Sequence, residues 1–201
     1  MPSLSKERVA RTRGCALRAP FLRDMNPDFT KNHFEFFGLP ISYALDTQVL
    51  ERAYREVQRE VHPDRFVTAS DAEKRLAAQW ATQANEAYRT LKSPLNRGRY
   101  FLKLKGIDTE EERNTAMPMA FLVQQMEWRE AVVAAKAAKD QATLAGLALT
   151  KRAEEKAFFS LLGGQLASDD KLANAKDTVR KLRFLEKLGE EIDDAADELE
   201  D

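Results

Sequence analysis

Residues 51–66 read ERAYREVQREVHPDRF. Leu50, Ala53, Tyr54, Val57 and Val61 recur at helical spacing, so they fall on one side of a helix begun by Asp46 or Thr47. At 100° per residue, Arg52, Arg55 and Arg59 gather within about 60° of one another on the opposite side, as a basic, solvated stripe. The helix cannot run past Pro63, which has no N–H and whose ring clashes with the preceding turn; His62 is itself pushed toward extended geometry. The spacing therefore predicts an imidazole and a carboxylate, His62 and Asp64, displayed on a tight exposed turn at the end of a basic helix.

A tripeptide by itself is weak, and its surroundings decide its reading. Upstream stands NHFEFFGLP (32–40), a short aromatic helix with a Gly-Pro stop. Downstream, a long helix over about Ser70 to Lys92 ends in NEAYRTL (85–91). Leu76, Trp80, Ala84, Ala87, Tyr88 and Leu91 share one face of it and can pack on the Leu50/Tyr54/Val57 face as an antiparallel pair. A short aromatic helix, a basic helix, HPD and a long helix in this order resemble the J domain, the module by which co-chaperones activate the ATPase of DnaK-type chaperones. Pro94 then permits a fourth helix, Leu95 to Lys105, stopped by Gly106. His33 reads most simply as a surface or capping residue.

The chain has 201 residues, 43% of them hydrophobic and 32% charged, which suits one large or two small soluble domains. A formal charge of −1 argues against nucleic acid as the main partner, because phosphate neutralisation needs a basic footprint. One cysteine, Cys15, excludes an internal disulfide framework, and two histidines complete no metal constellation. No cofactor is implied. No apolar run approaches the roughly twenty residues that span a bilayer, so no membrane partner is expected.

Residues 1–31 carry Lys6, Arg8, Arg11, Arg13, Arg18 and Arg23 without apolar periodicity. They read as a disordered basic arm, as an extension ahead of a true start at Met25, or as a mitochondrial transit peptide. The cytoplasm of a bacterium is the expected location under the first two readings and the mitochondrial matrix under the third. Residues 32–106 form the J-like module, and the polar, acidic stretch 107–117 reads as a linker.

Residues 118–190 hold three helical patterns with breaks near Lys139-Asp140 and Gly163-Gly164, which implies a small antiparallel bundle. In the first, Phe121, Trp128, Val132 and Ala135 make one face. Leu122, Met126 and Val133 form a second stripe about 120° away, with Val123, Glu127 and Glu130 beside it. Periodicity alone leaves open whether that second stripe is buried or faces a partner. In the last helix, about Asp169 to Glu190, the core stripe is Leu172, Ala175, Val179 and Leu182, while Phe184 projects nearly opposite. The acidic tail, 191–201, reads as a frayed end.

FFGLP (36–40) with Tyr43 and Leu45-Asp46, then Ser93-Pro94-Leu95 with Arg97 and Tyr100, Ala120-Phe121-Leu122, Glu127 with Arg129-Glu130, and TVRKLRFL (178–185) resemble the HscB family, Jac-type in mitochondria. These motifs spread over residues 32–189. The resemblance implies an L-shaped, all-α co-chaperone without enzymatic activity: an N-terminal J domain that binds the specialised DnaK-type chaperone HscA, and a C-terminal three-helix domain that binds the iron–sulfur scaffold IscU. Carried over by position, His62, Pro63 and Asp64 with Arg55, Arg59 and Arg65 face the chaperone. Leu122, Val123, Met126, Glu127, Glu130 and Phe184 face the scaffold.

Three departures stand out. Glu60 sits where many J domains have a basic residue, Ala134 replaces a carboxylate that relatives can carry on the scaffold face, and the Cys pairs of animal relatives are absent. The rival reading is a general J-domain co-chaperone that serves misfolded clients of a housekeeping chaperone, but it would usually bring Gly/Phe-rich or zinc-binding segments.

Overall fold

The computed structural model describes residues 31–111 and 117–200; the basic arm, apart from Lys31, lies outside the described residues. The order is α1 (His33–Phe36), α2 (Thr47–Glu60), a 3-10 turn (Pro63–Phe66), α3 (Asp71–Lys92), α4 (Pro94–Leu104), α5 (Met119–Ala138), α6 (Gln141–Leu166), a second 3-10 turn (Asp169–Lys171) and α7 (Leu172–Glu200). No strand occurs among the described residues. The fold is all-α, an N-terminal J domain followed by a C-terminal helical bundle.

Local chemistry fixes the J-domain elements. Asn32 and Glu35 cap α1 reciprocally, and Gly38 at φ 64° closes it. The Leu39 N–H donates to the Phe34 carbonyl at 2.8 Å and the Gly38 N–H to Glu35 at 3.0 Å, which satisfies carbonyls the helix leaves free. Asp46 caps α2, and Ser70 with Glu73 forms a capping box on α3. Leu50, Val57 and Val61 are buried against Phe34, Phe36, Ala84, Ala87 and Leu91, with Tyr54, Trp80 and Tyr88 packed around them. Tyr54 stacks on Tyr88 at 4.1 Å between ring centres. Its hydroxyl donates to Asn85 Oδ1 at 2.7 Å, to which Gln58 also donates. A polar clasp thus fixes the register of α2 against α3 beside the apolar core.

Helix α4 belongs to two cores. Its Leu95, Phe101 and Leu102 are buried with Leu162 and Leu166 of α6 and Leu172, Ala175, Val179 and Leu182 of α7. The approach is close at Gly98, where a Cβ would stand 3.0 Å from Leu162 and 3.6 Å from Tyr43. Arg97, buried, donates to the Leu91 carbonyl at 2.8 Å, capping the end of α3, and lies 5.1 Å from the Tyr43 ring. The stretch expected as a linker is held down where it is described. Glu111 accepts from Arg99 Nε at 2.8 Å, and Glu110 pairs with Lys176 of α7 at 2.8 Å.

Two boundaries differ from the sequence reading. The break falls at Ala167-Ser168 rather than Gly163-Gly164, which lie inside α6. Gly163 faces the Tyr43 ring, 3.6 Å from where its Cβ would be, so it serves contact and not a turn. The final helix begins at Leu172 and continues to Glu200, so the acidic tail is not frayed. Ile192 and Ala195 are buried with Leu188, Leu144, Val132 and Ala135, and Leu199 packs against them. The outward carboxylates meet cations of α5, Glu191 with Arg129 at 3.0 Å and Glu198 with Lys136 at 2.6 Å.

Candidate functional site

The structure presents two separate surfaces, one on each part of the molecule. The first is the turn after α2. Val61 ends the helix, His62 is extended at φ −61°, ψ 133°, and Pro63 opens the 3-10 turn as its first residue. The Asp64 N–H donates to His62 Nδ1 at 3.3 Å, which leaves the proton of the neutral ring on Nε2, free to donate outward. The side chains of His62 and Asp64 are 57% and 86% exposed. Beyond the cap that His62 Nδ1 places on the turn, both side chains face solvent.

The arginines divide. Arg59 and Arg52 are exposed and make no ion pair among the described residues, while Arg55 is paired with Glu51 one turn away. Arg65 folds back on the end of α2, 3.5 Å from Glu60 and donating to the Arg59 carbonyl at 3.4 Å. Glu60 therefore neutralises part of the basic stripe beside the turn. Val67, 70% exposed two residues past the proposed set, was missed by sequence reasoning; its loop position offers no periodicity from which exposure could be read.

The second surface lies on α5. Val123, Met126 and Val133 are 45%, 61% and 68% exposed, Glu127 and Glu130 are exposed, and Leu122 is half-buried. The second stripe is thus solvent-facing in this chain, and the core face of α5 is Phe121, Gln125, Val132 and Ala135. Met119, 74% exposed, continues the stripe one turn earlier. Its spacing to Val123 and Met126 was the available signal.

Phe184 is not the isolated exposed ring that its off-stripe position implies. It is half-buried and meets Phe121 edge-on, 5.8 Å between centres at 87°, which brings α7 to the residue beside Leu122. No group of three or more His, Cys, Asp and Glu able to hold a metal exists among the described residues, and none of their helices is long and apolar enough to cross a membrane.

A helical hairpin with an exposed HPD turn, joined through a shared core to an antiparallel bundle with an exposed apolar helix face, defines a J-domain co-chaperone. Residues 117–193 match the family described as the HSCB C-terminal oligomerisation domain. The chain is 50% identical over 169 residues to the co-chaperone protein HscB homolog of Ralstonia nicotianae, covering 84% of this chain and 96% of that protein. It belongs to the HscB family of co-chaperones.

A similar relative in Paraburkholderia phymatum is 52% identical over 161 residues, 80% of this chain and 91% of the relative. The fold is similar to that of chaperone HscB from Vibrio cholerae, with TM-score 0.73 and 40% identity over 84% of this chain and 99% of that one. Human co-chaperone HscB matches with TM-score 0.75 and 33% identity, over 83% of each chain. The family role is that of a J-domain co-chaperone, working with a DnaK-type chaperone in iron–sulfur cluster assembly.

Proposed function

We propose that this chain stimulates the ATPase of the specialised chaperone HscA through residues 32–106 and delivers the iron–sulfur scaffold IscU to it from residues 118–190, in the bacterial cytoplasm. His62, Pro63 and Asp64, with Arg55, Arg59 and Arg65, face the chaperone. Leu122, Val123, Met126, Glu127, Glu130 and Phe184 face the scaffold. The observation that carries the reading is the pair of surfaces that the fold leaves exposed: a polar turn on one part and an apolar stripe on the other.

The protein does no covalent chemistry in this scheme. The arginines of α2 steer toward an acidic patch on the ATPase domain and raise the on-rate, while the turn supplies contacts that favour the hydrolysing state. Holding chaperone and scaffold at once raises the effective concentration of each for the other.

Asp64→Asn tests the first surface. Asp64 supports no core contact, so thermal stability should stay within about 0.5 kcal/mol, while steady-state stimulation of HscA falls by at least tenfold. Retention of full stimulation in a folded variant would sink the proposal.

A further inference from the structure

Lys181 stands beside the α5 surface in an unusual setting. Its ammonium lies 5.8 Å from the centre of the Phe121 ring and 5.6 Å from that of Phe158, two rings that meet edge-on. Phe184, one turn further along α7, contacts the same Phe121 ring. Lys181 and Phe184 therefore flank one side chain, and the next residue of α5 is Leu122.

Lys181 is half-buried, and its ammonium lies over aromatic faces and not beside a carboxylate. Among the described residues Lys181 donates no hydrogen bond and forms no ion pair. Glu154 of α6 feels its charge without coming within ion-pair distance. An ammonium has three donors; here no protein group among the described residues takes them, and the two rings cover one side of the group. Building an ion pair on such a group costs less desolvation than on a fully hydrated lysine.

Further along the stripe Glu127 and Glu130 are exposed and make no ion pair among the described residues, whereas Arg129 and Lys136 are paired with Glu191 and Glu198. Nine residues separate Phe121 from Glu130, roughly 13 Å along the helix at 1.5 Å per residue, which exceeds the ~8 Å screening length at physiological salt. The two ends thus act on an approaching partner as separate charges of opposite sign.

We propose that Lys181 is a specificity-determining residue of the client surface, receiving a carboxylate of the scaffold, so that the apolar stripe is read in one direction. The partner fitting this face has an apolar centre, a cation opposite Glu127 and Glu130, and an acidic side chain opposite Lys181. Reversed seating would bring acid to acid and base to base, and like-charge juxtaposition is how interfaces reject wrong registers. This rests on the client-face reading above.

Calorimetric titration of the full chain with apo IscU-type scaffold, at low and high salt, tests it. Lys181→Met keeps the stem over the two rings and removes the charge: affinity should fall about three- to tenfold, with a shallower salt dependence. Lys181→Glu should lose more than tenfold, and Lys181→Arg should bind within twofold of the parent. Thermal midpoints and HscA stimulation through the untouched J domain report that each variant is folded. Leu122→Ala/Met126→Ala, measured alongside, separates the two readings. If it loses binding while Lys181→Met binds like the parent with unchanged salt slope, the assignment of Lys181 is overturned and the client face stands. If Leu122→Ala/Met126→Ala also binds like the parent, the client face itself is misplaced, and the role of Lys181 falls with it.

Discussion

His33 lies where α1 meets α4. Its ring stacks on Tyr100 with 4.2 Å between centres, its backbone N–H donates to the Tyr100 hydroxyl at 2.9 Å, and it is half-buried with Asn32 as the cap, not the surface or capping residue expected from sequence. Burial pulls the imidazole below the ordinary histidine value; Glu86 works against this and Lys103 with it. The folded state thus prefers the neutral ring, and below about pH 6.5 the unfolded chain holds more protons at this position. Stability present above that value is lost as pH falls through the folded-state value. Urea midpoints at pH 7.5, 6.5 and 5.5 should decline more in the parent than in His33→Phe, which keeps the stack without a titratable group. Equal declines would show that His33 is not proton-linked.

At the scale of elements, the end of α7 separates composition from pattern. Ile192 is 3% exposed in a segment dominated by carboxylates. Ile192→Ala should cost about 2–4 kcal/mol, as for other buried large-to-small changes. The triple variant Asp193→Asn/Asp194→Asn/Asp197→Asn, on the exposed side, should shift stability by less than about 0.5 kcal/mol. Thermal or urea unfolding checks both, and a silent Ile192→Ala would mean that this turn is not part of the core.

The same helix shows what the sequence carried. Leu188, Ile192, Ala195 and Leu199 already had helical spacing, but the density of acid outweighed it in the reading. The J-domain hairpin was legible because its signals are local: a helix start at Asp46 or Thr47, a Pro stop, and two apolar faces that can pack antiparallel. The exposed stripe of α5 was legible as geometry, though only the structure decides that it faces solvent. Phe184 on Phe121, Arg99 on Glu111 and Glu110 on Lys176 join residues from different elements, and no periodicity encodes such pairs. Gly163-Gly164 misled for a related reason, since a glycine needed for a ring contact looks in sequence like a helix breaker.

For the molecule as a whole, α4 packs on both parts and should make them one thermodynamic unit. Trp80 reports on the hairpin and Trp128 on the bundle, so Trp128→Phe and Trp80→Phe give variants that each watch one half. Their fluorescence transitions in urea should coincide with each other and with loss of helicity. Gly98→Val, which inserts carbons where a Cβ alone would stand 3.0 Å from Leu162, should lower both midpoints together, by about 1–3 kcal/mol of stability. Separate transitions would mean that the shared core does not couple the halves.

That shared core also has a history during synthesis. Leu95, Phe101 and Leu102 leave the ribosome long before Leu162, Val179 and Leu182, which complete their surroundings. At roughly 5–20 residues per second, the eighty residues from Leu102 to Leu182 take about 4–16 s to translate. Through that interval a nascent J domain can fold its own hairpin yet still shows a strip of uncovered leucine and phenylalanine on α4. A protein that works as a chaperone's partner therefore passes, on every round of translation, through a state with the kind of exposed apolar surface that chaperones bind.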